Sequence, residues 1–278
     1  MYLKAPKWKF MRNALIAVLL VAAVLPSCKK DDAGSSSQNL LAKIVTKQGS
    51  DSTVAEYSFD SQGRFVQERS TAVDASGSET TTISLVRDAN GRATKVTEAI
   101  TGSSPATFAT DYVYVSPSDK KVRNGIFLFD FSGLQVRDSI AFTYATKVSK
   151  TSHYYTAAGV PTTQAYYYEY AYDGKGNMTQ VKVYQPNSSG VITLTATVNF
   201  EYDAKISPVY FNDDVLVEYL GSQYVSPNNI TKVSIVAADP ADNFTATTVY
   251  EYRADGRPTK ATTNADGSTY VSTYTYKN

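Results

Sequence analysis

Tyr57-Ser58-Phe59-Asp60-Ser61-Gln62-Gly63-Arg64 is the stretch whose reading decides the fold. Aromatic residues at 57 and 59 flank a small polar one, the two-residue period of a β-strand with one buried face. Asp-x-x-Gly then closes the unit. An aspartate opening a type I turn accepts hydrogen bonds from backbone N–H groups further on, and glycine takes the left-handed position without steric cost. The unit returns at 85–92 (LVRDANGR), 127–134 (FLFDFSGL) and 170–177 (YAYDGKGN), with a shifted copy at 250–257 (YEYRADGR). Weaker turns stand at Asp74-Ala75-Ser76-Gly77, Asn187-Ser188-Ser189-Gly190 and Asn264-Ala265-Asp266-Gly267. Gly63, Gly77 and Gly91 fall fourteen residues apart, as do Gly176 and Gly190, which is room for one strand and one turn.

Between the turns, alternation is the rule. Tyr166, Tyr168, Tyr170 and Tyr172 fall on one face of a strand and form a candidate aromatic surface. Ile192, Leu194, Ala196, Val198, Phe200 and Tyr202 make a second row; Phe244, Ala246, Thr248, Tyr250 and Tyr252 a third; Tyr270, Ser272, Tyr274 and Tyr276 a fourth. No stretch of similar length has helical periodicity. The reading is all-β: an antiparallel meander of hairpins. Such a meander buries its apolar face only by curling, into an open barrel or a strongly curved sheet. A sandwich needs Greek-key crossovers and a propeller needs a four-strand repeat, so both rank lower. Residues 202–229 break the alternation and carry Pro208 and Pro227. One short helix is predicted there, near 212–220, with Asn212 as cap, Asp213 and Asp214 in its first turn and Gly221 after its end.

The N-terminus reads as an export signal. Basic residues end at Arg12, and Ala14 to Leu25 is an apolar run of twelve, short of the ~20 a membrane-spanning helix needs. Met11 begins a compact signal of its own. Leu25-Pro26-Ser27-Cys28 resembles the lipobox of bacterial lipoproteins, with proline at −2 as a departure, and the resemblance implies lipidation at Cys28. Cys28-Lys29-Lys30-Asp31-Asp32 resembles the acidic surface-export signal of Bacteroidota lipoproteins, which assigns that role to Lys29, Lys30, Asp31 and Asp32. The expected organisation is a signal peptide over 1–27, a flexible Ser- and charge-rich tether over 28–38, and one β-meander domain over 39–278. The tether spans up to ~35 Å at ~3.3 Å per residue.

Of 27 basic and 26 acidic residues, four basic ones and no acid lie in the first 27 positions, so the remainder is net negative. Without a basic run, nucleic acid is not an expected partner. Cys28 is the only cysteine, which rules out an internal disulfide, and His153 is the only histidine, so a His/Cys metal site within one chain is excluded. His153 reads as a surface strand residue rather than a member of a catalytic triad. No glycine-rich phosphate loop occurs, the Asp/Asn-Gly turns lack the acidic ladder of a calcium loop, and no cofactor is expected. Asp213 and Asp214 are the one carboxylate pair singled out, and helix capping explains them better than catalysis. The chain holds 22 tyrosines, suited to cross-strand ladders and to binding surfaces alike. A mean hydropathy of −0.28 and strands studded with Lys, Asp and Glu speak against a lipid-spanning barrel.

The Tyr-x-Tyr-Asp-x-x-Gly-Arg unit, clearest at 57–64 and 170–177, resembles the YD repeats of Rhs-type proteins. A closer likeness, over roughly 40–278, is to Bacteroidota surface lipoproteins of unknown function with a porin-like or open-barrel β-domain. Their break segment is similar to Asp203-x-Lys205-x-x-Pro208 and Ser226-Pro227-Asn228-Asn229 here. The resemblance implies a fold and a location, not catalytic residues. Asp51-Ser52-Thr53 and Asp138-Ser139-Ile140 resemble the short O-glycosylation signal of exported proteins in that group. The expected function is that of an outer-membrane, surface-anchored lipoprotein facing the cell exterior, not an enzyme. It is attached to the membrane through Cys28 and serves as a binding or structural module for an envelope protein, glycan or apolar molecule. The alternative is a carboxylate-dependent polysaccharide hydrolase.

Overall fold

The computed structural model describes residues 40–277 apart from 103, 104, 117, 120, 132, 133, 159, 212, 220 and 221. The expected signal peptide, Cys28, the export residues 29–32 and the tether lie outside these described residues, as do Asn212 and Gly221.

The described residues form sixteen strands, each antiparallel to its sequence neighbours, and β1 pairs with β16 to close the barrel. In order they are β1 (Leu41–Gln48), β2 (Asp51–Phe59), β3 (Phe65–Asp74), β4 (Gly77–Arg87), β5 (Ala93–Thr101) and β6 (Ala106–Tyr114). There follow β7 (Val122–Phe131), β8 (Leu134–Tyr144), β9 (Val148–Ala157), β10 (Val160–Tyr172) and β11 (Met178–Pro186). The last five are β12 (Ile192–Ile206), β13 (Asn228–Ala237), β14 (Phe244–Tyr252), β15 (Pro258–Ala265) and β16 (Ser268–Tyr276). The curl expected from the sequence therefore runs full circle. Closure leaves no free sheet edge.

The two ends of the barrel use different turns. At one end sit the five-residue Asp-x-x-Gly turns, in which a single aspartate organises the whole loop. Asp60 Oδ1 accepts from the backbone N–H groups of Gln62 and Arg64, both at 2.9 Å, while Oδ2 takes Arg64 Nε at 2.7 Å. Asp88 repeats this with Asn90 and Arg92, and Asp173 with Lys175 and Asn177. The Arg92 hydrogen bond above all, joined by backbone donors and opposed by desolvation, holds the Asp88 carboxyl below the usual carboxylate range. The opposite end closes mostly with tighter connections. Asp74 pairs directly with Gly77 across Ala75-Ser76, and Asp266 and Gly267 take φ of 47° and 75°, the mirror-image turn that a two-residue hairpin requires. The 127–134 unit departs from its expected turn: β7 runs on to Phe131, which pairs with Leu134.

The row at 192–202 is also interrupted. A bulge between Val183 and Tyr184 puts Ala196 opposite the former and Leu194 opposite the latter. Ala196 and Val198 stay buried, whereas Leu194 is 45% exposed on the outer wall. One extra residue turns every side chain beyond it to the other face.

The core lies inside the barrel. Its larger cluster gathers inner-face residues of β1–β9, β11, β15 and β16 around a segment from between β12 and β13, and a smaller one lies under β11–β15. A barrel of this many strands is too wide for wall side chains alone to fill. The segment 207–227 supplies what is missing. The helix expected near 212–220 is in fact two single turns, α1 (Leu216–Tyr219) and α2 (Ser222–Val225). Leu216 N donates to the Asp213 carbonyl at 3.0 Å, and Val215 N to Asp213 Oδ1 at 3.4 Å, so Asp213 does serve as a start signal.

Candidate functional site

Segment 207–227 folds back into the barrel as a plug at the end that holds the Asp-x-x-Gly turns. Val209, Val215 and Leu216 are fully buried, and Val217, Tyr224 and Val225 nearly so. Phe211 lies flat on Phe65 of β3, with ring centroids 4.2 Å apart and planes 5° apart, and edge-on to Phe59 at 6.0 Å. The proline-bounded break in the alternation is therefore the feature that closes one mouth of the barrel.

Polar contacts lock the plug to the wall. Arg87 at the end of β4 donates to Asp213 Oδ2 at 2.7 Å, to the Gly91 carbonyl at 3.1 Å and to the Phe65 carbonyl at 3.0 Å. Lys147, between β8 and β9, donates to the carbonyls of Gly176 and Val225 at 2.9 and 3.2 Å. Burial pulls the Lys147 ammonium below the usual lysine range against the fields of Asp214 and Asp173. Asp214 has its carboxyl raised by burial, opposed by a hydrogen bond from Tyr144. Deepest is Glu68 of β3, which accepts a hydrogen bond from the Tyr224 hydroxyl at 2.7 Å. Burial, opposed by that bond, pushes the Glu68 carboxyl up to about 7.

The hinges of the plug are built from the two motifs that flank it. Asn229 Nδ2 donates to both oxygens of Asp203 at 2.8 Å, and Tyr252 OH donates to the same carboxylate. Asn228 and Asn177 exchange hydrogen bonds through side chain and backbone, and Ser207 N reaches the Pro227 carbonyl at 2.8 Å. Ser226 Oγ accepts from Met178 N at 3.0 Å. The Asp203-x-Lys205 and Ser226-Pro227-Asn228-Asn229 segments are thus the two ends of one clasp.

The chain enters and leaves at this same end. Lys277 N donates to the Leu40 carbonyl at 2.8 Å, so the first and last described residues meet at the plugged end.

The outer wall is polar, most of all in the half nearest the plug. Glu56–Arg69, Lys95–Asp111, Lys150–Glu169, Glu201–Lys232 and Glu251–Lys260 pair across neighbouring strands. Threonines fill much of the space between, as in Thr71–Thr80 at 2.9 Å. The exposed large apolar residues, among them Val73, Val113, Leu128, Val236 and Val249, are dispersed over it.

Tyr166, Tyr168, Tyr170 and Tyr172 do share a face of β10, and that face is the inner one. Tyr166 stacks on His153 at 4.0 Å, Tyr168 packs against the smaller core cluster, and Tyr170 and Tyr172 pack against the larger. His153 is not a surface residue. It is 3% exposed, and its Nδ1 lies 2.8 Å from Asp138 Oδ2, also buried. Asp138 belongs to the wall interior, and Ser139 beside it faces outward. Asp51 is exposed at the start of β2. Asp213 and Asp214, the one singled-out carboxylate pair, are plug anchors. Of the site residues that the sequence does not mark as such, Glu68 and Lys147 carry no motif, Arg87 sits inside the 85–92 turn unit, and Asp138 reads only as part of a glycosylation-like triplet. Parity held a clue for one: in Val136-x-Asp138-x-Ile140-x-Phe142 the acid shares the face of three apolar residues.

Among the described residues no group of three or more His, Cys, Asp or Glu side chains could hold a metal ion. No helix among them is long and apolar enough to cross a membrane, which leaves strands a separate question.

Fold and plug together define a class, a sixteen-stranded up-and-down barrel closed at its terminal end by an inserted segment. Solved structures similar to it include two porin-like proteins. A porin-like protein from Bacteroides uniformis has a TM-score of 0.51 at 12% identity, covering 86% of this chain and 98% of that one. A porin-like protein from Bacteroides vulgatus has a TM-score of 0.52 at 10% identity, with 86% and 99% covered. At such identities the likeness is one of fold. No protein-family model matches the chain, and no curated protein is similar to it in sequence.

Proposed function

We propose that this chain is an outer-membrane lipoprotein, held by lipid at Cys28 and turned outward by Lys29, Lys30, Asp31 and Asp32, whose barrel stands in water as a binding or structural module. The observation that carries the reading is the outer wall. A lipid-spanning barrel needs an outward apolar band ~25 Å tall, and here five cross-strand ion pairs occupy the plug-side half of the wall, with threonine pairs such as Thr71–Thr80 beyond them. A Lys or Arg facing lipid costs up to about 2–4 kcal/mol at the bilayer midplane and less towards its surfaces. A tether entering beside the plug supports an orientation with the plugged mouth toward the membrane and the other mouth away from it. The Tyr-x-Tyr-Asp-x-x-Gly-Arg units serve in this reading as turn chemistry for the barrel. The hydrolase alternative draws no support from Asp213 and Asp214, both of which are engaged in holding the plug.

Fractionation of a Bacteroides host tests it. The wild-type chain is expected in the outer membrane, labelled by a palmitate analogue and digested when intact cells meet protease. A Cys28→Ala chain with an ordinary cleavable export signal is expected in the soluble fraction. Carbonate-resistant membrane retention of that variant would show that the barrel itself inserts and would overturn the reading. Protease resistance on intact cells would overturn the outward placement.

A further inference from the structure

Across β5–β10, away from the plug, the inner wall carries a stripe of aromatic rings that neither core cluster uses. Phe108 meets Phe127 at 5.9 Å, Phe127 stacks on Phe129 at 5.4 Å, and Phe129 meets Tyr155 edge-on at 5.8 Å. Tyr155 in turn meets Tyr166 at 6.0 Å. All five are half-buried, and none belongs to either buried cluster or packs against one. At the plugged end, by contrast, inner-wall rings such as Tyr57, Tyr112 and Tyr274 are consumed by the core.

Two acids interrupt the stripe. Asp138 stands opposite Phe127 on one side and Tyr155 on the other, and Glu98 stands opposite Phe108. Asp138 is 4% exposed. One of its oxygens is held by His153, and the other, Oδ1, is buried without a hydrogen-bond partner. Leaving a buried carboxylate oxygen unmatched costs free energy that an incoming positive charge would offset. Burial also raises the Glu98 carboxyl.

Beyond His153, which is a cation only when protonated, no described cation of β5–β10 answers these acids. The lysines and arginines of β5–β10 are Lys95, Arg123, Arg137 and Lys150. Lys95 pairs with Asp111 on the outside, and Arg137 is exposed opposite exposed Leu128. Lys150 lies over the ring of Tyr167 on the outer wall, 3.6 Å from its centroid, and Arg123 is exposed where β7 starts at the plugged end. Ring faces are electron-rich and attract cations, most strongly where water is scarce. An acid-bearing, aromatic-lined concavity without lysine or arginine repels anions and favours a positive ligand.

We propose that the inner wall of β5–β10 is a binding cleft for an organic ammonium ion, with Phe129, Tyr155 and Tyr166 supplying ring faces and Asp138 the counter-charge. This deepens the binding-module reading and rests on it.

The test uses the full chain in detergent, with choline as probe and 3,3-dimethylbutan-1-ol as its uncharged isostere, titrated by calorimetry. Choline is expected to bind at least about tenfold more tightly than the isostere. Asp138→Asn is expected to lose about tenfold of that affinity, while Asp111→Asn on the outer wall leaves it unchanged. Tyr155→Leu gives a second reading should Asp138→Asn fail to fold, and it too is expected to weaken choline. Equal affinity for both probes, binding of neither, preference for benzoate, or choline binding indifferent to both inner-wall substitutions would each overturn the proposal. A chain that fractionates as lipid-anchored yet binds no ammonium defeats this inference and leaves the anchored module standing.

Discussion

Replacing Glu68 by glutamine should make the protein about 2 kcal/mol more stable at pH 8 and about 1 kcal/mol less stable at pH 4. Glu68 is 6% exposed, has Tyr224 OH as its hydrogen-bonded partner, and has its carboxyl pushed by burial from 4.5 up to about 7. Below about pH 4.5 the group is protonated in folded and unfolded chains alike, so its titration costs nothing. Between 4.5 and about 7 the unfolded chain has released the proton that the folded chain still holds, and stability falls as pH rises. Above about 7 the whole penalty is present, about 3 kcal/mol from the gap between the two values. Glutamine cannot ionise, and its amide oxygen can still accept from Tyr224. Its new N–H groups lack acceptors at about 1 kcal/mol, so a net gain of about 2 kcal/mol is expected at pH 8. The assay is denaturant unfolding of wild type and Glu68→Gln at several pH values from 4 to 8, followed by near-ultraviolet circular dichroism of the tyrosines. Glu98 and Asp214, also raised by burial, titrate in both proteins and drop out of the difference. A wild-type-to-variant difference that stays constant over this window would refute the reasoning.

Arg87→Met should cost about 3 kcal/mol, because it strands Asp213 in a site where both partners are nearly buried. Adding Asp213→Asn should recover part of that loss in a double-mutant unfolding cycle. Phe211→Ala, which removes the ring stacked on Phe65, should lose about 3 kcal/mol and raise amide hydrogen exchange first over 207–227. Gly102→Ala should cost more than Gly49→Ala in thermal unfolding, since both positions have positive φ but the new Cβ at 102 would sit 3.0 Å from the Ser78 carbonyl oxygen, with open space at 49. Glu251→Gln on the outer wall should shift stability by no more than about 0.5 kcal/mol, its Lys260 partner being solvent-exposed and screened.

Strand identity and antiparallel order were legible because both follow from local rules. Alternation marks the strand, and an aspartate that bonds residues two and four ahead marks the turn, so Asp60, Asp88 and Asp173 announce three hairpins without tertiary information. Full closure was not legible. It depends on β1 meeting β16, with Thr46 Oγ1 lying 2.8 Å from Ser272 Oγ across 226 residues, and no local pattern encodes that. The plug was visible only as a loss of pattern. Its two prolines and lost alternation showed that 202–229 was not strand, whereas its inward fold depends on partners such as Phe65, Glu68 and Arg87, each far away in sequence. The bulge that exposes Leu194 was hidden for the same reason: the row looks unbroken until its partner strand is known. The inner and outer faces of the tyrosine ladder follow from closure as well. Tyr166 and Tyr167 are neighbours in sequence, yet one stacks on buried His153 and the other on Tyr184 outside.

The central claim is that water, not lipid, bathes the outer wall of this barrel. Spin labels placed singly at position 82 on β4 and 262 on β15, threonines that face outward opposite exposed Arg69 and Val249, report it directly in native outer membranes. Collision with an aqueous nickel complex should dominate over collision with oxygen at both sites. Oxygen-dominated relaxation at both, the signature of a hydrocarbon surround, would contradict the account.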